Sequence, residues 1–282
     1  MPVYENADPD IKSMKGIHVY HYFLSNCAQR VTLALEEKGQ DWTPHAINLF
    51  TQENTADEYF RINPKGLVPA LVHDGVVVTE SIDILRYIEE QFPNPPLYPS
   101  DPEQRREADN WMDAATENHL RVVKTFMYST VLGASKKPGM MDGYTRKQKD
   151  QELIDFHQQS LSGFDQSRVL EAERNLFAFY DDIEKELTRH KWLVGDEFSY
   201  ADIAWFVTYF MNRRVGAVDF REYPNIRRWG DRIVQRPSFN GGVARLQPWY
   251  APLVCLMLRV KSRLQRGGPA PSRPRVAAHS VS

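Results

Sequence analysis

The run Asn63-Pro64-Lys65-Gly66-Leu67-Val68-Pro69-Ala70-Leu71, followed by Val78-Thr79-Glu80-Ser81-Ile82, couples an X-Pro bend at a strand start to a Glu-Ser pair at a helix start. The Val68-Pro69 bond can be cis, an isomer that is rare outside X-Pro. Such a bend leaves the Val68 N–H and C=O to pair with an extended ligand. Ser81 sets a hydroxyl beside the unpaired N–H groups of a helix N-terminus, which attract a carboxylate. Together these features can hold a small anionic peptide. Upstream, Phe23-Leu24-Ser25-Asn26-Cys27-Ala28-Gln29-Arg30 opens another helix immediately after a strand. A thiolate near that helix end gains about 0.3–1 kcal/mol from the backbone dipoles. Three residues compete to meet it. Ser25 offers a hydroxyl, Asn26 can cap the helix or donate from its amide, and Cys27 falls inside the first turn, where it reads as a small buried apolar side chain.

The elements that position these residues follow from pattern and punctuation. Ile17–Tyr22 alternates as a strand should, Cys27–Lys38 repeats apolar residues at helical spacing and stops at Gly39, and His45–Leu49 is a second short strand. Thr55–Ile62 reads as a helix, Val68–His73 and Val76–Thr79 flank the hairpin dipeptide Asp74-Gly75, and Ser81–Gln91 closes the unit. That order is the order of a thioredoxin-like domain, expected over residues 16–98. Phe92–Pro99 is a proline-stiffened linker. From Glu103 onward the pattern is helical with almost no strand signal, giving an all-helical domain over residues 103–262. The fold class is therefore α/β plus all-α. Gly133–Gln166 is polar and too long for a simple helix connection, so it is expected to be an inserted loop or a lid. Ser199-Tyr200-Ala201-Asp202 reads as a capping box with a structural task. Residues 267–282, rich in Pro, Ser and Ala, are expected to be disordered.

Bulk properties exclude several classes. At 282 residues the chain exceeds what one core usually serves, so two domains are the prior expectation. A formal net charge of -2 gives no general electrostatic reason to expect a nucleic acid or a membrane as partner. Cys27 and Cys255 lie far apart in unlike contexts, which suggests neither a disulfide framework nor a metal site. No signal peptide and no membrane-spanning run is evident. A reducing cytoplasm fits these features.

The bend, the Glu-Ser pair and the Ser25 helix start resemble the glutathione-binding half of the cytosolic glutathione transferases of the serine type. The Trp192-Leu193-Val194-Gly195 and Ser199-x-x-Asp202 segments and the Arg236-Pro237 turn extend the likeness over roughly residues 16–250. The resemblance implies glutathione as co-substrate and no metal. It implies that Val68, before Pro69, pairs with the cysteinyl backbone of glutathione and that Glu80 and Ser81 hold its γ-glutamyl end. It places Lys65 and Asn54 at the glycyl end. Ser25, aligned on Gln29-Arg30, becomes the hydrogen-bond donor to the thiolate with Asn26 as helper. A free thiol titrates near pH 8.5, so a fall of about two units makes the thiolate dominant at neutral pH. Serine alone cannot carry out thiol-disulfide exchange, which points to conjugation or thiolytic cleavage.

The motif run together with the long insertion looks most like the bacterial glutathione-dependent β-etherases, which cleave the β-aryl ether bonds of lignin-derived aromatic ketones. A second-substrate pocket between the two domains is then expected to draw on Trp111, His119, Phe126, Tyr128, Trp205, Tyr209, Trp249 and Tyr250, although Trp205 and Tyr209, four apart on one helix face, equally suit core packing. A homodimer is the default for such transferases. The alternatives are a general detoxifying conjugator or peroxidase, and a non-catalytic glutathione-binding module.

Overall fold

A computed structural model describes residues 3–5, 8–133 and 142–273. Its sheet is built from β1 (Val3–Glu5), β2 (Ile17–His21), β3 (Trp42–Ala46), β4 (Ala70–His73) and β5 (Val76–Thr79) in the order β1-β5-β4-β2-β3. Only β2 and β3 run parallel; the other pairs are antiparallel. The turn between β4 and β5 takes positive φ at both Asp74 (49°) and Gly75 (84°), as a two-residue hairpin requires.

Two strands differ from the sequence expectation. The second strand starts at Trp42, ahead of His45, and contains Pro44, which an edge strand tolerates because one side of its backbone has no ladder partner. The acidic N-terminal segment supplies β1, which pairs Val3 with Val78 at the opposite edge. It is followed by the short helix α1 (Pro9–Lys12).

Helix α2 (Asn26–Glu37) buries Val31, Leu33, Ala34 and Leu35 completely, and Gly39, with φ 62°, ends its run. α3 (Asp57–Ile62) is preceded by a tighter turn at Glu53–Thr55, and α4 (Ser81–Gln91) follows β5. The helical part begins with α5 (Pro102–Glu117), capped by the Asp101 carboxylate on the N–H groups of Glu103 and Gln104. The helical winding widens after Glu117. The Val123 N–H bonds to the Asn118 carbonyl and Gly133 N–H to that of Tyr128, i→i+5 spacings of two π-wound segments, His119–Lys124 and Tyr128–Leu132, separated by an α-helical turn at Thr125–Met127. The polar insertion carries helices of its own, α6 (Asp142–Lys147) and α7 (Gln151–Ser162). Then come α8 (Gln166–Arg189), α9 (Tyr200–Arg214), α10 (Pro224–Val234) and α11 (Ala251–Arg266).

The capping box forms as expected. The Asp202 carboxylate accepts from Ser199 N–H at 3.0 Å and also holds Leu193 N–H (3.0 Å) and the Trp229 indole (2.7 Å). α9 is the central helix of this part: Trp205, Phe206 and Tyr209 are almost wholly buried. The two parts are joined through Arg236, whose guanidinium forms a two-point pair with Glu37 of α2 at 2.5 and 2.6 Å. Beyond α11 the tail is not free at its start. Asp219 N–H bonds to the Pro271 carbonyl at 2.9 Å and Arg273 pairs with Asp181 at 2.8 Å. Residues 274–282 lie outside those described.

Candidate active site

Ser25 stands at the N-terminus of α2 with extended backbone, and its Oγ accepts the Ala28 N–H at 3.2 Å. A hydroxyl that accepts there keeps its own hydrogen, which is free to point at a sulfur anion. The Asn26 side-chain oxygen takes the Cys27 N–H at 2.9 Å, leaving the amide NH₂ as its donor end. Cys27 is not the buried filler expected from the sequence. It is half-buried, faces the helical part, and its Sγ lies 3.3 Å from His119 Nε2.

The Val68-Pro69 bond is cis. The loop before it is fixed on both sides: Tyr59 and Asn63 both donate to the Leu67 carbonyl, at 2.6 and 2.7 Å, while Asn54 Nδ2 donates to that of Gly66 at 2.8 Å. Gly66 has φ 59°, and a Cβ there would meet the Phe60 ring at 2.9 Å and the Asn54 carbonyl at 3.0 Å, so no other residue fits without displacement. Among the described residues no group pairs with the Val68 N–H or C=O, which are thus available to an extended ligand. Glu80 takes φ 65°, an uncommon conformation for a non-glycine residue, at the head of α4. Lys65 turns its ammonium onto the Glu80 carboxylate at 2.8 Å and approaches Asp150 at 4.0 Å. Ser81 receives a hydrogen bond from Arg30 Nη1 at 3.1 Å, and Arg30, 1% exposed, spends its Nε–H on the Ala204 carbonyl at 3.0 Å.

One cleft of about 270 Å³ gathers Ser25, Asn26, Asn54, Val68, Pro69, Glu80 and Ser81. Lys65 is the expected site residue that does not line it, since its ammonium is turned to Glu80. The far wall is contributed by the π-wound stretch and the insertion: His119, Val123, Lys124, Met127, Tyr128 and Tyr144. Of the eight aromatic and His residues expected around a second substrate, only His119 and Tyr128 lie there. Phe126, Trp205 and Tyr209 are core, and Trp249 is 90% exposed. Burial, with the Lys124 and Arg30 charges next, holds the His119 imidazole well below its usual range, so it is neutral at pH 7. Burial also lowers Lys124, partly offset by Cys27 and Glu80.

Sequence reasoning missed Lys124 and Tyr144, and no local signal marked either. Arg30 supports the site through its hydrogen bond to Ser81.

A cis-proline bend, a helix-borne hydroxyl and a Glu-Ser helix start arranged on a mixed sheet, with a helical part closing the cleft, define a unit of thioredoxin-like fold with a helical partner. The chain belongs to the glutathione S-transferase family: residues 24–91 match the family's N-terminal domain and residues 138–237 its C-terminal domain. It is 30% identical to the maleylacetoacetate isomerase of Rattus norvegicus over 226 residues, covering 79% of this chain and 89% of the relative. Among solved structures, the β-etherase LigF from Sphingobium sp. strain SYK-6 superposes with a TM-score of 0.73 at 26% identity, covering 81% of this chain and 99% of that one. A theta class glutathione S-transferase from Xanthomonas axonopodis pv. citri, solved with glutathione bound, shares the fold at TM-score 0.61 and 23% identity, covering 82% and 98% of the two chains.

Proposed function

We propose that this transferase cleaves β-aryl ethers of lignin-derived aromatics with glutathione. The tripeptide lies along the cis bend with its cysteinyl backbone on Val68, its γ-glutamyl end at Glu80 and Ser81, and its thiolate at the head of α2. There the Ser25 hydroxyl donates to the sulfur, Asn26 assists, and the helix dipole favours the ionised form. The thiolate attacks the carbon next to a ketone, a phenolate leaves, and a glutathione thioether is formed. The observation that carries this reading is the convergence of three separate chain segments, each with a free donor or acceptor, on one cleft. The likeness to LigF, and the Tyr128 and Tyr144 rings on the wall facing α2, support an aromatic ether as second substrate. A homodimer in the cytoplasm belongs to the same proposal.

Incubating the protein with glutathione and a panel of β-aryl ethers is expected to yield equimolar phenol and thioether by chromatography. Turnover of small halogenated electrophiles or hydroperoxides with none of the ethers would replace the reading by general conjugation or peroxidase activity. Relatives named maleylacetoacetate isomerase favour a second reading, isomerisation of maleylacetoacetate with glutathione regenerated. Conversion of that compound without glutathione consumption, and no phenol release from the ethers, would establish it instead.

A further inference from the structure

Lys124 is a cation that the thiolate-activating parts do not use. It lies on the cleft wall opposite the head of α2, between Val123 and the Met127–Tyr128 pair. The widened winding brings it there: with i→i+5 hydrogen bonds, His119 and Lys124 come onto the same face of the chain. The charged and titratable groups around it are Arg30 and Cys27 from α2, Glu80 before α4, and His119 on its own stretch. Arg30 is spent on Ser81 and on backbone carbonyls, Glu80 is paired with Lys65, and His119 is neutral and touches Cys27. Among the described residues Lys124 has no ion pair, only the Phe156 ring at 6.0 Å from its Nζ. A half-buried ammonium on a cleft wall with no carboxylate within ion-pair distance among the described residues is incompletely compensated, and an oxyanion arriving in the cleft would compensate it.

We propose that Lys124 is a catalytic residue that receives the oxyanion leaving from the second substrate, so that the enzyme takes ethers whose departing group is a poorly acidic phenol. The proposal rests on the ether-cleaving reading and specifies which ethers. As the C–S bond forms, the C–O bond breaks and its electron pair remains on the phenoxide oxygen. The Lys124 ammonium hydrogen-bonds to that oxygen as its charge grows and passes it a proton, giving the neutral phenol, and water then reprotonates the amine. The lowered proton affinity that burial gives Lys124 makes this transfer easier than from an exposed lysine.

The test compares wild type, Lys124→Met and Lys124→Arg on β-aryl ethers that share one carbon skeleton and differ in the acidity of the leaving phenol, with the corresponding α-halo ketone as the member that needs no proton. Lys124→Met is expected to lose about a hundred-fold in kcat/KM on the unsubstituted phenyl ether, within the range for a general acid. On the nitrophenyl ether and the halide the loss should be no more than about three-fold, and Lys124→Arg should recover part of the phenyl ether rate. The pKa of bound glutathione, read from thiolate absorbance, should be the same in all three proteins. Equal losses across the series would make Lys124 a packing residue and overturn the proposal, as would a raised glutathione pKa in Lys124→Met, which would tie the charge to the thiolate. If wild type cleaves no β-aryl ether, the ether-cleaving reading fails by itself. Lys124 is then judged on phenyl 2,4-dinitrophenyl ether against 1-chloro-2,4-dinitrobenzene, where the same contrast of phenoxide and chloride recurs and equal losses again overturn its role.

Discussion

The Ser25 oxygen accepts from Ala28 N–H and so caps α2, and in the proposed reading its hydrogen serves a second task as donor to the thiolate. Two substitutions separate the tasks. Ser25→Ala removes both, and is expected to cut kcat/KM by about ten-fold or more and to lower stability by about 1 kcal/mol through the lost cap. Ser25→Asp keeps a good cap and places a negative charge against the sulfur, so its melting temperature should stay near that of wild type while activity falls at least as far. The pH dependence has a definite sign. A donor to the thiolate lowers the thiol pKa, so removing it raises that pKa, and the rising limb of the rate profile should move to higher pH in Ser25→Ala. His119 is held well below its usual range and should add no break of its own above pH 6.5. An unmoved limb and unchanged turnover in Ser25→Ala would take Ser25 out of the chemistry.

What the sequence revealed at the scale of elements depended on how local the determining physics is. The hydroxyl at the start of α2, the X-Pro bend and the hairpin dipeptide are written in adjacent residues, and each appears where its pattern points. The wall that faces them is not local. The 3.6-residue period that serves α5 fails after Glu117, where i→i+5 bonds rotate His119, Lys124 and Tyr128 into the cleft. Likewise nothing in a helical pattern tells that Trp205 and Tyr209 pack among other helices and not along a pocket; only the tertiary arrangement decides it. The capping box was legible, but its reach was not. Asp202 also holds a backbone N–H from the Trp192–Gly195 turn and the Trp229 indole of α10, tying three segments to one carboxylate. Asp202→Ala leaves these donors buried and unpaired at roughly 1–3 kcal/mol each. Chemical denaturation should therefore show a loss of about 3 kcal/mol or more, with kcat on properly folded protein unchanged. A loss under about 1 kcal/mol would mean that water or repacking satisfies them.

At the scale of the whole molecule, the insertion is the part that couples the helical region to the cis bend. Lys147 at the end of α6 donates to the Thr55 carbonyl at 2.8 Å and pairs with Asp57 at 2.5 Å. Asp57 is largely exposed, and an ion pair in such a position adds little. Gln148 is different. It is buried, its Nε2 donates to the Lys65 carbonyl at 2.7 Å, and its Oε1 accepts the Lys149 and Asp150 N–H groups at 3.0 and 2.9 Å. One side chain thus fixes both the start of α7 and the Asn63–Leu67 loop from which Val68 projects. Losing a buried hydrogen bond and orphaning the Lys65 carbonyl costs on the order of 1 kcal/mol, felt where glutathione must find the loop already in place. Gln148→Ala is therefore expected to raise KM for glutathione about five-fold, while kcat holds because the donors at the head of α2 are untouched. Lys147→Ala, which removes the weaker contact, should change KM less than two-fold. Steady-state kinetics at saturating second substrate decides between this and the converse pattern, in which kcat falls and KM stays, and which would place the insertion in the chemistry and not in preparing the glutathione loop.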